Sequence, residues 1–211
     1  MTQRTDHTST SASTSASASA TPGAHRPEAA GHGTAADVLR FWFDESTPAQ
    51  WFQKDDAFDA AIRGRFGALL RRAAQGELAH WRTGADGRLA EVIVLDQFSR
   101  NVLRGERAAF AQDGMALVLA QEAIAQGLDA ALPPERRAFL YMPFMHSESA
   151  QVQAESVRLF TALGNANNLD FAQRHQVIVE RFGRFPHRNA VLGRSSTAEE
   201  IAFLQEPGSS F

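Results

Sequence analysis

The sequence of 211 residues contains no cysteine. Disulfide bonds, thiolate zinc ligands and a cysteine nucleophile are therefore excluded. Lysine is nearly absent, since Lys54 is the only one, and arginine supplies almost all of the positive charge. A guanidinium group binds carboxylates and phosphates bidentately, so this bias suits the recognition of anions. A GC-rich genome would produce the same bias and is the simpler explanation.

Long apolar runs and a surplus of basic charge are also missing. No stretch approaches the ~20 apolar residues that a membrane-spanning helix requires, and no apolar segment near the N-terminus is typical of a secretory signal. The formal net charge of −3 lacks the basic surplus of a general nucleic-acid binder. We therefore expect a cytoplasmic protein that binds neither membranes nor nucleic acids.

The first part of the chain lacks large apolar side chains. Residues 8–21 are all Ser, Thr or Ala, and no Val, Ile, Leu, Phe, Tyr or Trp occurs in residues 2–37. Such a segment cannot bury enough apolar area to offset the entropy lost on ordering. We predict a disordered Ser/Ala/Thr-rich tail over residues 1–34 and a single all-helical domain over residues 35–211.

Beyond the tail, apolar side chains recur at spacings of three and four residues, the period of an amphipathic α-helix. Thr34 is the expected N-cap of a first helix that includes Val38 and Trp42. Further helices are predicted over residues 55–74, 88–101, 107–126, 134–142, 148–163, 168–182 and 197–204.

Local signals complete this prediction. Pro143 should end the helix that precedes it, and Thr197 with Glu200 has the spacing of a capping box. Residues 92–95 resemble a buried strand, but no second strand candidate exists to satisfy its backbone, so we assign them to a helix. The expected fold is all-α, with about eight antiparallel helices joined by short loops and no sheet.

Helical periodicity turns several ionisable side chains toward the core. Asp96 and Arg100 share the apolar side of their helix, with Asn101 on the adjacent strip. They lie four residues apart with the acid first, the favourable order for an ion pair. A structural ion pair and a functional site explain this placement equally well, since buried charges must be paired wherever they occur. His175 lies in an apolar stripe, where a lone histidine is more often a core residue than a catalyst.

The connection over residues 141–148 contains a second set of candidates. Glu148 is expected in the first turn of a helix, on its core side, where it would favour the helix dipole. Alternatively, burial would raise its pKa and make it a general base. His146 is either its partner or an ordinary loop residue.

The densest cluster of charge lies over residues 181–189, where a helix end, a glycine and a new turn follow one another. Guanidinium groups and free backbone donors at such a place suit an anion. Pairing with acids of neighbouring helices is the structural alternative, and the compactness of the cluster favours a site. The candidate ligand-binding residues here are Arg181, Arg184, His187, Arg188 and Asn189.

Motifs for metals and cofactors are not evident. His146, Glu148, His175 and His187 are ligand types that suit zinc or iron. Their spacing matches no metal motif, such as two histidines four apart on one helix, so we assign no metal. We also find no phosphate loop, nucleophile elbow or dinucleotide fingerprint, and we leave the cofactor open.

Three blocks of sequence suggest a family. The sequence resembles, over about residues 36–211, the bacterial family catalogued as domain of unknown function 924. This resemblance implies a helical fold similar to tetratricopeptide-repeat proteins, and it implies no established activity. The blocks are LDQFSRN (95–101), YMPFMHSE (141–148) and RFGRFPHRN (181–189), supported by WF (42–43 and 51–52), LGRSST (192–197) and PGSSF (207–211).

Two functional hypotheses follow from these residues. The first is a polar pocket for a small anionic molecule, with hydrolysis or proton transfer as its chemistry. Its catalytic candidates are Asp96, His146, Glu148 and His175, and its ligand-binding candidates are Arg100, Asn101 and the five residues of the 181–189 cluster. The alternative is a non-catalytic helical scaffold that binds a protein or peptide, in which the polar blocks are structural ion pairs. The concentration of unusual residues in three blocks favours the first.

Overall fold

The computed structural model describes Met1 and residues 33–211. The predicted disordered tail falls almost entirely outside the described residues. Residues 33–211 belong to one compact unit. The proposed boundary between tail and domain stays a prediction.

The described residues form helices and turns and contain no strand. The predicted all-α class is therefore confirmed, while the tetratricopeptide-repeat-like arrangement stays an expectation. No helix within residues 33–211 combines the length and the apolar character needed to cross a bilayer. The α-helices are α1 (Ala35–Leu39), α2 (Pro48–Phe52), α3 (Asp56–Ala74), α4 (Ala85–Ile93), α5 (Ser99–Val102), α6 (Asp113–Ala125), α7 (Pro134–Met145), α8 (Ala150–Leu163), α9 (Ala166–Phe182), α10 (Asn189–Leu192) and α11 (Ala198–Phe203).

Side-chain caps determine where several helices begin. Thr34 and Asp37 form a reciprocal capping box at α1, and Thr197 and Glu200 form another at α11, as predicted. The helix predicted over 168–182 begins earlier, because the side chain of Asn165 accepts a hydrogen bond from a backbone N–H in the first turn of α9.

A π-helical segment, Val94–Phe98, links α4 directly to α5. The predicted helix over residues 88–101 is thus present as one continuous rod, and the strand-like residues 92–95 are helical as expected. π-helical turns carry i→i+5 hydrogen bonds and occur frequently at functional sites. This one contains Asp96.

Three other helix ends also differ from the prediction. Pro143 does not end its helix, because it lies in the last turn of α7, where only one backbone hydrogen bond is lost. Ser149 caps α8, so Glu148 precedes the helix rather than occupying its first turn. The helix predicted over 107–126 begins with a 3₁₀ turn, Arg107–Phe110, and α6 starts only at Asp113.

Aromatic side chains form the centre of the core. Trp42 is fully buried and its ring lies 5.7 Å from that of Phe98 and 5.6 Å from that of Phe139. A smaller cluster around Phe185 and Phe203 packs under the C-terminal helices. Helices α7, α8 and α9 pack successively on one another, as expected for helices joined by short connections. Together these contacts hold the π-helical turn deep in the interior.

Two glycines in first helical turns allow a matched test of how closely α4 packs against the backbone of Trp81. A Cβ atom at Gly87 in α4 would lie 1.9 Å from the backbone oxygen of Trp81, whereas a Cβ at Gly114 in α6 would meet nothing within 4 Å. We expect Gly87→Ala to lower the free energy of unfolding by about 1–3 kcal/mol, because backbone must move. Gly114→Ala should raise it by up to ~1 kcal/mol through helix propensity. Urea unfolding measures both, and equal effects of the two changes would contradict this packing.

Candidate functional site

Asp96 is a fully buried carboxylate. Its Oδ1 lies 2.8 Å from Nδ1 of His146 and 2.9 Å from Nη1 of Arg100, and its Oδ2 accepts a hydrogen bond from Gln97. Burial raises the pKa of Asp96, but the charge of Arg100, together with the hydrogen bonds from His146 and Gln97, outweighs it and holds the pKa well below its usual value. The predicted ion pair of Asp96 with Arg100 is therefore present, and Asp96 is ionised.

Arg100 continues the network to the start of α6. It donates two hydrogen bonds to the carboxylate of Asp113, each 2.9 Å long. The guanidinium groups of Arg100 and Arg188 both lie over the ring of Phe110, at 5.6 and 4.8 Å from its centroid. The 3₁₀ turn that interrupts the predicted 107–126 helix supplies this ring.

Arg188 is the least satisfied arginine of the network. Its Nη1 donates to the backbone oxygen of His146 at 3.0 Å and lies 3.4 Å from Asp113. Its Nε is buried and has no hydrogen-bond partner within the described part of the chain. Burial and the charge of Arg100 lower the pKa of Arg188 to about 10, so it remains charged at neutral pH. It therefore keeps a free donor toward a further acceptor.

His146 completes a buried Asp–His pair. Because Nδ1 faces the carboxylate of Asp96, it carries the proton, and the lone pair is assigned to Nε2. Nε2 has no hydrogen-bond partner among residues 33–211, and the side chain is 15% exposed. Burial, followed by the charge of Arg100, lowers the pKa of His146 despite the opposing effect of Asp96. The imidazole is thus neutral at pH 7, with one nitrogen able to accept a proton.

His175 lies beside this pair, with its ring centroid 6.3 Å from that of His146. Its Nδ1 donates to the backbone oxygen of Phe171 at 2.8 Å, and the ring of Phe211 stacks on it at 3.7 Å. Burial and the neighbouring His146 lower its pKa to about 3. Burial and Arg188 likewise lower the pKa of His187, to about 4. Both rings are neutral at physiological pH.

Glu148 belongs to an adjoining ion pair. Its carboxylate receives two hydrogen bonds from Arg194, at 2.6 and 2.9 Å, and one from the backbone N–H of Phe185 at 2.8 Å. Burial raises the pKa of Glu148, but these bonds outweigh it and lower the pKa overall. The expected rise in the pKa of Glu148 is therefore not found, and its role as a general base stays a prediction. Asn189 accepts from the same Arg194 and is held beside this pair.

Three predicted ligand-binding residues have partners elsewhere. Asn101 donates to Asp59 at 2.7 Å in a separate buried pair. Arg181 and Arg184 bind acids of α11. The partner of Arg181 is Glu199 at 2.9 Å, and that of Arg184 is Glu200 at 2.7 Å. These residues lie outside the cluster formed by Asp96, Arg100, Asp113, His146, His175 and Arg188, which we call the Asp96 cluster.

Sequence reasoning missed Asp113, Phe110 and Arg194. Asp113 lay within the helix predicted over residues 107–126, and no pattern in that segment indicated that it pairs with Arg100. Arg194 lies in one of the runs that supported the family resemblance, but no periodicity indicated its partner. No group of three or more His, Asp or Glu side chains within residues 33–211 has the arrangement of a metal site.

Two cavities among the described residues lie away from the Asp96 cluster. One, of about 490 Å³, borders the start of α4 and includes Trp81 and Gly87. The other, of about 600 Å³, runs along α3. The prediction that the candidate residues line one cavity is thus not supported by either of them.

The fold and this cluster define an all-helical protein whose centre holds a buried Asp–His–Arg network. The chain belongs to the family described as bacterial protein of unknown function (DUF924), whose model matches residues 38–208. The family resemblance inferred from the three sequence blocks is therefore confirmed.

A solved structure supports the fold. The chain is similar to the protein of unknown function ATU0120 from Agrobacterium tumefaciens, with 43% sequence identity and a TM-score of 0.78. The match covers 81% of this chain and 96% of the other. Comparison with curated proteins gives no match.

The lowered pKa of His175 predicts a pH-dependent stability. The unfolded histidine has a pKa near 6.5 and the folded one a pKa of about 3, so between these values only the unfolded chain binds the proton. Stability is therefore lost as the pH falls below 6.5. We expect His175→Phe to reduce the loss of stability between pH 7.5 and pH 5.0 by about 2 kcal/mol.

Urea unfolding at the two pH values measures this difference. His80→Phe, at an exposed histidine, is the control and should leave the loss as it is in the parent protein. An unchanged loss in His175→Phe would show that this ring is protonated as readily in the folded state as in the unfolded state.

Proposed function

We propose that the Asp96 cluster is the active centre of an enzyme that moves a proton on a small anionic molecule, or activates water to hydrolyse it. His146 is the general base, Asp96 orients it, and Arg188 binds the anionic group. The proposal includes a cytoplasmic location, as expected from the sequence.

The observation that carries this proposal is the environment of His146. A structural ion pair of Asp96 with Arg100 would be complete without a histidine, yet the carboxylate also fixes Nδ1 and leaves Nε2 without a partner among the described side chains and backbone atoms. A base held in this way by a carboxylate is the arrangement that general-base catalysis uses. Nε2 would accept a proton from water or from the substrate, and Asp96 would stabilise the imidazolium that forms.

Arg188 supports an anionic substrate. It is charged at neutral pH, and its Nε has no hydrogen-bond partner in the described part of the chain. Its polar contacts are a long approach to Asp113 and a backbone oxygen. Stacking on Phe110 and Phe185 fixes the plane of its guanidinium group. A planar, fixed guanidinium group recognises carboxylates and phosphates through directed hydrogen bonds. Arg100 is saturated by two acids and serves to position Asp96.

The remaining candidates receive supporting roles. Because the pKa of His175 is about 3, its ring is not protonated near neutral pH and cannot act as an acid. It instead packs as a neutral ring beside His146. Glu148 and Asn189 hold the segment that carries Arg188 in place through Arg194. Asn101, Arg181 and Arg184 are structural, because acids in other regions already satisfy them.

A non-catalytic scaffold is the second candidate. The observation that favours it is that Arg100, Arg181 and Arg184 each have a carboxylate partner within the protein. Such pairs would serve to hold helices together, and a peptide would then bind elsewhere on the surface. If the protein is a scaffold, its partner should bind equally well to the parent protein and to a variant that lacks the imidazole of His146.

Thermal unfolding against a panel of phosphorylated and carboxylated metabolites tests the enzyme proposal. A ligand present at about 100 times its Kd stabilises the folded state by about 2.7 kcal/mol. We expect Arg188→Gln to abolish the shift that a positive compound produces. Arg181→Ala is the matched control, because it removes an arginine of the same segment that lies outside the cluster, and it should preserve the shift.

Turnover of the positive compounds then tests the base. His146→Gln should lower kcat by about 10²–10⁴-fold, the usual contribution of a general base. In the parent protein, the acidic fall of kcat/KM should lie at a lower pH than the titration of a free histidine, because the pKa of His146 is lowered. Undiminished turnover in His146→Gln would refute the assignment, and a panel without any Arg188-dependent shift would favour the scaffold.

A further inference from the structure

A groove between α3 and residues 99–112 shares no residue with the Asp96 cluster. It encloses about 600 Å³, which lies within the range of roughly 300–1,000 Å³ typical of small-molecule sites. Its floor is apolar and includes Leu70, Val102 and Leu103. Three further features of this groove indicate that it binds a ligand.

The first feature is a pair of helical glycines. Gly64 and Gly67 lie within α3 and line the groove, and a Cβ atom at either would meet nothing within 4 Å. Glycine destabilises the interior of a helix relative to alanine. Because no described neighbour needs the space, packing within residues 33–211 does not explain them. A bare helical backbone does permit close approach by another molecule.

The second feature is charge. Arg63, Arg65 and Arg71 line the groove, and no acid is among the described residues that do so. Arg65 is bound to Glu45, and Arg63 donates to the backbone oxygen of Val102 at 2.6 Å. Arg71 has no hydrogen bond or ion pair with any described residue. The groove therefore presents positive charge with one guanidinium group free to bind.

The third feature is Ser99, which begins α5 and lines the groove. The residue is fully buried, and its Oγ has no hydrogen-bond partner in the described part of the chain. A serine inside a helix usually bonds to the carbonyl oxygen four residues earlier, and here it does not. A buried hydroxyl without a partner lowers stability unless a ligand satisfies it.

We propose that this groove is a binding site for a small organic anion, a carboxylate or phosphate ester that carries a short apolar part. Arg71, aided by Arg63, binds the anionic group. The apolar part lies against Leu70 and the bare backbone at Gly67, and Ser99 binds a polar atom at the floor. Charge complementarity and the enclosed volume support a small molecule as the occupant.

Titration of the full-length, ¹⁵N-labelled chain with hexanoate and with hexyl phosphate tests the proposal. We expect saturable changes in the amide signals of Gly64, Gly67 and Ser99 with at least one of these two anions, and none with hexanol, which lacks the charge. The anion that binds more tightly shows whether the groove prefers a carboxylate or a phosphate ester.

Variants locate the binding. Gly67→Leu fills the groove and should weaken binding at least tenfold while raising Tm by about 2–4 °C through helix propensity. Gly114→Leu, at the other open helical glycine, is the matched control and should leave binding unchanged. Arg71→Gln should weaken binding at least tenfold, whereas Arg158→Gln, at an exposed arginine of α8, should not. Ser99→Ala should raise Tm and weaken binding.

Several results would overturn the proposal. These are the absence of saturable changes with both anions, equal changes with hexanol, and binding that survives both Gly67→Leu and Arg71→Gln. Changes produced by a Glu-rich peptide but by neither small anion would assign the groove to a protein segment instead. All of these results are independent of the Asp96 cluster, because no residue is shared.

Discussion

A carboxylate that has lost all contact with water governs the arrangement of this domain. Asp96 is fully buried, and an ionised carboxylate in such a place destabilises the fold unless hydrogen bonds and opposite charge replace its hydration. Arg100 and His146 provide both. Arg100 also binds Asp113, and Asp113 contacts Arg188. These ion pairs therefore bring four segments together: the π-helical turn, the end of α7, the start of α6 and the turn before α10.

The same constraint couples proton transfer to ligand charge. Asp96 and Asp113 balance Arg100 and Arg188, and His175 stays neutral because burial lowers its pKa to about 3. A proton accepted by His146 would add a positive charge for which no further carboxylate is present in the cluster. An anion held by Arg188 would supply the missing negative charge. Substrate binding and the basicity of His146 should therefore strengthen each other, as charges do in a region of low dielectric constant.

Most helices could be predicted from the sequence, but the contacts between them could not. Periodicity showed that Asp96 and His175 face the core, and capping residues such as Thr34 and Thr197 fixed helix starts. It could not show that Asp96 meets His146, fifty residues later, because a helical pattern defines a face and not what packs on it. The pKa of Glu148 was misjudged for the same reason. Its direction depends on Arg194, forty-six residues away. Both results depend on contacts between residues far apart in the sequence, which the local spacing of residues does not reveal.

Two kinds of unusual residue differ in how strongly they indicate a ligand site. The buried charges of the Asp96 cluster are unusual, but partners within the chain compensate nearly all of them, so a structural role competes with a functional one. Gly64, Gly67 and Ser99 are less conspicuous, yet each lowers the stability of the domain, and nothing in residues 33–211 compensates for it. Natural proteins depart from local consistency chiefly at functional sites. An uncompensated departure is for this reason stronger evidence for a ligand than a compensated one, even when its residues carry no charge.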